Sequence, residues 1–327
     1  MVQISELRIL ITGGAGFIGS HLCEYFLNLG VKHLTVLDDL STGFRENIEP
    51  YYSYPNFTFI NGSITDNDIC LKACENIDVV LHHAALGSVP RSIENPIASN
   101  EVNVSGFVNM LFASKEQQVK KFIYASSSSV YGDDQTFPKI ELNTGNLLSP
   151  YAVSKHVNEK YAAVFSDLYG LQTIGFRYFN VFGERQNPKG AYAAVIPKFI
   201  DSLLRNFSPD IYGTGENTRD FTYVANVVEA NKLAILTEIK EKSIVMNIAF
   251  GGTVSVNQIF KKLAIYSNKE TIKPNYLPER KGEIKNSYAN ISLAQRTIHF
   301  NPIVTLDEGL KITANWFILQ SQNSEKD

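Results

Sequence analysis

Glycines at positions 13, 16 and 19, in the run Thr12-Gly13-Gly14-Ala15-Gly16-Phe17-Ile18-Gly19, follow directly on Arg8–Thr12, an apolar run that reads as a buried strand. Strand, glycine-rich turn and helix in that order constrain the fold more than any other feature. The first glycine permits a tight turn, the second lets backbone approach a pyrophosphate, and the third lets helix pack on strand. The helix N-terminus adds N–H donors and partial positive charge. Leu22, Tyr25, Phe26 and Leu29 then recur at i, i+3, i+4 and i+7, and Gly30 stands where a helix end favours positive φ. Leu34–Leu37 reads as the next strand. Asp38 closes it about 20 residues after the glycines, where a carboxylate can accept both hydroxyls of an adenosine ribose. The same carboxylate repels a 2′-phosphate, and Arg45, the only nearby cation, lies some distance on. The expected cofactor is NAD.

Four further runs, Phe57–Ile60, Val79–His82, Phe122–Ser126 and Thr173–Arg177, read as buried strands separated by helical segments. Such alternation predicts an α/β fold, a Rossmann-type doubly wound parallel sheet over residues 1–180 to which later segments return. Over 181–327 the alternation weakens. Pro, Gly, Asn and Arg gather in Gly183–Gly190, Phe207–Arg219 and Pro274–Ser287, which read as site-forming loops of a smaller C-terminal substrate-binding lobe. A sequence of 327 residues is long enough for a core of that size. With 30 basic against 33 acidic residues the net charge is −3, which supplies no basic field for nucleic acid. Any bound anion must be held locally. Cys23, Cys70 and Cys74 are too few for a disulfide framework or a four-ligand zinc site, so free thiols, those of Cys70 and Cys74 semi-buried, and no metal are expected. The N-terminus shows no basic leader, and no stretch reaches ~18 apolar residues, so no membrane partner and a cytoplasmic location are expected. The polar tail Gln322–Asp327 is expected to fray.

Ser149-Pro150-Tyr151-Ala152-Val153-Ser154-Lys155 combines a capping serine, a proline suited to the first helical turn, and Tyr and Lys four apart on one helix face. An ammonium beside a phenol is expected to lower its pKa from ~10 towards neutrality, so that the phenolate can accept a proton from an alcohol as hydride leaves carbon. Ala125-Ser126-Ser127-Ser128-Ser129-Val130-Tyr131-Gly132 ends a strand, and strand carboxyl ends face the ligand crevice in such sheets. Ser127 is the first candidate to reach a substrate; Ser128 and Ser129 can equally satisfy turn backbone.

Together with Phe176-Arg177-Tyr178-Phe179-Asn180-Val181-Phe182-Gly183, these blocks resemble the extended short-chain dehydrogenase/reductase (NAD-dependent epimerase/dehydratase) family. Within it the likeness is to UDP-hexose 4-epimerases, especially the bacterial UDP-N-acetylglucosamine 4-epimerases, and runs from residue 7 to about 316. Its more specific marks are Leu86–Ser92, Arg177–Gly183, Gly190–Pro197, Thr218–Phe221 and Arg280–Glu283. The resemblance implies catalytic roles for Tyr151, Lys155 and Ser127. It implies cofactor contacts at Gly13, Gly16, Phe17, Ile18, Gly19, Asp38, Ser63, Ile64, Ala84, Ala85, Asn103, Tyr151, Lys155 and Phe179. It implies UDP-sugar contacts at Gly87, Ser88, Ser127, Ser128, Ser129, Tyr151, Asn180, Val195, Tyr212, Arg219, Arg280 and Ser287. In the implied mechanism Tyr151 takes the O4 proton and the C4 hydride passes to bound NAD. The 4-keto sugar then swings about its pyrophosphate, and the hydride returns to the opposite face.

Sister enzymes differ in the serine strand. The dehydratases carry an Asp-Glu pair at the positions of Ser128 and Ser129, and UDP-glucuronate decarboxylases carry a glutamate at the position of Ser129. Both proton carriers are missing here. Seven residues beyond Arg280, where a bulky tyrosine excludes N-acetyl groups, stands Ser287. With Gly87-Ser88 it favours UDP-GlcNAc/UDP-GalNAc, without barring UDP-Glc/UDP-Gal. Arg91 keeps open a C6 carboxylate on a uronate substrate, and an NAD-dependent sugar-nucleotide reductase is the further alternative. By the same resemblance the helices at Asn100–Gln117 and Tyr151–Leu168 are expected to pair two subunits through a four-helix bundle into a homodimer.

Overall fold

The computed structural model describes residues 2–189, 193–279 and 286–324. All six expected strands form: β1 (Arg8–Thr12), β2 (His33–Asp38), β3 (Phe57–Asn61), β4 (Val79–His82), β5 (Lys121–Ser127) and β6 (Gln172–Tyr178). A seventh, Ser243–Ile248, joins them in full parallel register along β6, from Ser243 opposite Thr173 to Ile248 opposite Tyr178. The sheet order is Ser243–Ile248, β6, β5, β4, β1, β2, β3. The sheet therefore takes in residues far beyond 180. Sequence patterning misses the seventh strand because its first three residues are only half-buried at the sheet edge, so no continuous apolar run marks it.

Side-chain alternation covers both faces. Ile9, Ile11, Leu34, Val36, Leu81 and Ile123 point into one core, shared with the helices Phe17–Asn28 and Val224–Leu236. Leu10, Leu37, Val80, Phe122 and Tyr124 point into the other, under the helices Asn67–Ala73, Gly106–Glu116 and Pro150–Tyr169. Each of these large apolar side chains contributes about 1.5–3 kcal/mol on leaving water. In the Phe17–Asn28 helix Leu22 and Phe26 are fully buried, whereas Leu29 is 43% exposed at its C-cap, so the apolar stripe is one residue shorter than its spacing suggests. Strand order reverses between β1 and β4, which opens a crevice at the carboxyl edge.

The second lobe packs the helices Val195–Leu204, Val256–Tyr266 and Leu306–Ser324 around Phe182, Phe199, Ile211, Phe221 and Leu263. The last of these helices includes 322–324, part of the tail expected to fray. Short strands shape the lobe's loops. Thr218–Arg219 lies between Val254–Ser255 and Asn286–Ser287, with Arg219 opposite Ser287. No helix among the described residues is long and apolar enough to cross a membrane. Cys23, Cys70 and Cys74 are free and wholly buried, Cys70 and Cys74 more deeply than expected, and burial pushes the thiols of Cys70 and Cys74 up to about 12.

One ionic pair sits between helix and sheet. Arg177 of β6 donates from Nε and Nη2 to the two carboxylate oxygens of Glu159 at 2.9 and 2.8 Å, and Ser126 Oγ donates to the same carboxylate at 2.6 Å. Both charged side chains are about 5% exposed. Removing one partner strands the other charge away from water, at a cost of about 3–5 kcal/mol. Glu159→Met is therefore expected to lower the urea midpoint sharply, and Glu159→Met combined with Arg177→Met to recover much of it, as a double-mutant cycle in equilibrium denaturation will measure.

Candidate active site

Gly13 adopts φ +71°, its N–H donating to Leu37 O at 2.9 Å, and Gly16 N donates to Gly13 O at 3.1 Å. A Cβ on Gly13 would stand 2.7 Å from Ala84 N, and one on Gly19 would stand 2.0 Å from Gly13 O. The helix Phe17–Asn28 starts at Gly16, which offers no capping group, and this leaves its first-turn N–H groups to a ligand. Asp38 ends β2 and holds the turn: its Oδ2 accepts from Ala15 N at 2.9 Å and its Oδ1 from Leu40 N at 2.8 Å. Burial raises its carboxyl pKa, the two N–H groups pull it back, and each oxygen keeps a second acceptor site. Arg45 lies over the Phe59 ring and donates to Tyr52 Oη.

A cleft of about 460 Å³ opens above this turn. Gly13, Gly16, Phe17, Ile18, Gly19, Asp38, Ile64, Ala84, Ala85, Gly87, Ser127, Tyr151 and Lys155 all line it. A glycine cradle without room for Cβ, an uncapped helix N-terminus and a carboxylate at the strand end with acceptor sites to spare fit NAD. Three expected cofactor residues stand off the lining. Ser63 bonds Thr65, and Phe179 is fully buried in a small core with its ring against Tyr131. Asn103, on the π-turn Glu101–Ser105, clips Leu86 through both its N–H and its C=O and donates to Ser154 Oγ. Its side chain positions the cleft wall at Leu86.

Ser149 caps the helix Pro150–Tyr169 by accepting from Ala152 N at 3.1 Å, with Pro150 at the first helical position. The Tyr151 N–H, which has no intrahelical acceptor there, donates to Ser92 Oγ at 3.0 Å. Lys155 is 2% exposed; its Nζ donates to Ala125 O at 2.8 Å and lies 5.9 Å from the Tyr151 ring centre. Burial brings the ammonium pKa down to about 8. The phenol runs counter to expectation: burial raises its pKa, and the group that pulls it back is the hydrogen-bonded Ser127 hydroxyl. Spacing brings Tyr and Lys to one face, but the ammonium is committed to a carbonyl of β5. Ser127 Oγ also accepts from Ser129 N at 3.1 Å, so it both caps the turn Ser128–Tyr131 and touches the phenol. Ser128 and Ser129 are half-buried in that turn and stand off the cleft lining.

Sequence reasoning missed His83, Tyr178 and Gln186, which also line the cleft. His83 Nε2 lies 3.1 Å from Tyr178 Oη, which accepts from Asn231 Nδ2 at 2.9 Å; burial lowers the imidazole pKa to about 3, so it is neutral. The position of His83 just past the end of β4 is a usable signal. Gln186 donates to Val181 O at 3.2 Å while its Oε1 is buried with no hydrogen-bond partner, and no motif spacing points to it.

Asn180, Val195, Tyr212 and Arg219 line a second cavity of about 470 Å³, and Val181 borders both. Ser287 stands beside Arg219 through strand register, and Ser88 caps the helix Val89–Glu94 by accepting from Arg91 N. Arg280 lies outside the described residues. No group of three or more His, Cys, Asp or Glu among the described residues is placed to hold a metal.

Residues 9–249 match the NAD dependent epimerase/dehydratase family. The protein belongs to this family. A putative UDP-glucose 4-epimerase of Methanocaldococcus jannaschii is 39% identical, over 94% of this chain and 97% of its own. The UDP-N-acetylglucosamine 4-epimerase of Methanobrevibacter ruminantium, solved with UDP-N-acetylmuramic acid, is 38% identical with a TM-score of 0.91, covering 96% of this chain and 99% of that one. The UDP-glucuronic acid 4-epimerase of Bacillus cereus, solved with UDP-glucuronic acid and NAD, is 31% identical with a TM-score of 0.86, covering 96% and 100%. As a member of the epimerase/dehydratase family the protein is an enzyme that works with NAD. Gly19→Ala drives Cβ against the Gly13 carbonyl, and NAD released on denaturing the purified variant is expected to fall about tenfold or more, equivalent to ~1.4 kcal/mol or more of binding.

Proposed function

We propose that the protein is a UDP-N-acetylglucosamine 4-epimerase, interconverting UDP-GlcNAc and UDP-GalNAc and also accepting UDP-Glc and UDP-Gal. The observation that carries this reading is the contact of Tyr151 with Ser127 in the cleft that carries the glycine turn, next to a second cavity that shares Val181. When bound, NAD supplies a hydride acceptor and donor for the sugar C4. Tyr151 Oη takes the O4 proton and returns it, as a general base and then acid. Ser127 favours the phenolate by its hydrogen bond, and Lys155, anchored on Ala125 O, places its charge near the ring. Asn180, Tyr212 and Arg219 hold the UDP group, Arg219 as a charge-assisted donor to phosphate.

Serines at 128 and 129 leave no carboxylate there for expelling a hydroxyl or assisting loss of CO2. Gly87 at the cleft and Ser287 beside Arg219 are small, which leaves room for an acetamido group. The second reading is a UDP-hexuronate 4-epimerase. It is favoured by the likeness to the Bacillus cereus enzyme and by Arg91 on the helix that follows Gly87-Ser88.

Purified protein incubated without added coenzyme is expected to convert UDP-GlcNAc to UDP-GalNAc, faster than UDP-Glc to UDP-Gal, with C4 epimers resolved by proton NMR. Turnover of UDP-glucuronic acid alone would replace the first reading with the second. Tyr151→Phe removes the proton carrier and is expected to lower kcat by about 10²–10⁴.

The homodimer belongs to the same proposal. Val153, Tyr161, Val164 and Leu168 are exposed along the helix Pro150–Tyr169, and Phe112 is exposed on Gly106–Glu116. Light scattering is expected to give twice the monomer mass for the wild type, and Val164→Glu with Leu168→Glu to give the monomer mass.

A further inference from the structure

Asp220 is fully buried, yet its two neighbours in sequence, Arg219 and Phe221, both line the second cavity. It stands in the connection between the short strands Thr218–Arg219 and Thr222–Tyr223, and its carboxylate is turned into the protein. There it collects backbone N–H groups from two distant segments. Oδ1 accepts from Phe250 at 3.1 Å and Gly251 at 3.2 Å, and Oδ2 accepts from Gly251 at 3.1 Å and Ala289 at 3.2 Å. Its backbone carbonyl accepts from Asn180 Nδ2 at 3.0 Å, and Thr222 N donates to Asn180 O at 3.2 Å. One residue thus ties together the loop that follows the edge strand, the backbone two residues past Ser287, and the side chain of Asn180.

We propose that Asp220 is a positioning residue that assembles the nucleotide side of the site, its buried carboxylate holding the Phe250–Gly251 and Ala289 segments so that Asn180, Arg219 and Ser287 converge. This rests on the reading of the second cavity as the UDP site. Asp220 does not itself touch substrate. Its carboxylate accepts N–H groups only, and a carboxamide of the same shape would turn an NH2 towards one of those donors, leaving two buried N–H groups facing each other. Burial raises the carboxyl pKa to about 6, and the N–H groups work against that rise, so the group is charged at neutral pH and draws them in. Gly251 supplies one N–H to both oxygens from φ +81°, a backbone conformation an L side chain resists, although a Cβ there would find 3.5 Å of clearance from Ile291.

The test is titration calorimetry with UDP on wild-type, Asp220→Asn and Gly251→Ala protein, together with NAD content, melting temperature, and kcat and KM for the sugar nucleotide. Both variants are expected to retain NAD and to raise the UDP Kd and the KM about tenfold or more, with kcat changed less than about threefold. Gly251→Ala approaches the same contact from the donor side, and stands in should Asp220→Asn fail to fold. Either variant, folded and binding UDP within about twofold of wild type, overturns the proposal, even if its melting temperature drops. Wild-type protein that binds no UDP overturns the reading of the cavity and this proposal with it, a result distinct from wild-type binding that the variants share.

Discussion

The structure depends on the contact between one face of the helix Pro150–Tyr169 and the last three residues of β5. Tyr151, Lys155 and Glu159 are spaced four apart, and each takes a different partner from consecutive strand residues. Lys155 takes the carbonyl of Ala125, Glu159 the hydroxyl of Ser126, and Tyr151 the hydroxyl of Ser127. Helical periodicity stacks the three on one face, while pleat alternation turns the Ser126 and Ser127 side chains to opposite sides, so the helix has to cross the strand end to reach both. A helix slipped by one residue would lose all three contacts at once. The buried Arg177–Glu159 pair then locks the same helix to β6, so the position of the phenol is set by two strands.

What the sequence reveals of the site is what is encoded within a dozen residues. The glycine turn, Asp38 at its strand end, and Tyr151 with Lys155 are local patterns, and the structure gathers them at one cleft. The residues missed are those whose meaning comes from distant partners. His83 owes its neutral state to burial and its place to Tyr178, itself held by Asn231, and Asp220 gains its meaning from amides at 250, 251 and 289. The strand Ser243–Ile248 is hidden for a related reason, since an edge strand owes its form to its neighbour's ladder more than to its own apolar content. The phenol is the instructive error. The i, i+4 spacing correctly places lysine beside tyrosine, but it carries no information on the carbonyl that claims the ammonium or on the burial that raises the phenol's pKa.

The two cavities divide the labour by the kind of group that builds them. The first is floored by the glycine turn at the carboxyl edge of the sheet, where close approach to a dinucleotide demands the absence of side chains, with larger residues such as Tyr151 and Tyr178 also lining it. The second is made of side chains carried on short strands and a helix start in the smaller lobe, which on the proposed reading give UDP recognition its reach and charge. Val181 belongs to both, and Asn180 beside it is held to the smaller lobe by Asp220 and Thr222.

The late return of the backbone to the sheet has a bearing on how this architecture can be made and rearranged. Ser243–Ile248 completes the row beside β6, and the helix Val224–Leu236 packs beside the helix Phe17–Asn28 and against β5, so the nucleotide half is stitched shut by residues that follow the first part of the second lobe in sequence. During synthesis the sheet stays open along β6 until those residues leave the ribosome, a long-lived edge that invites pairing with another nascent polypeptide. For the same reason the two halves cannot be exchanged between relatives by a single crossover near residue 180. A graft that respects the fold has to carry the returning helix and strand with the half they finish.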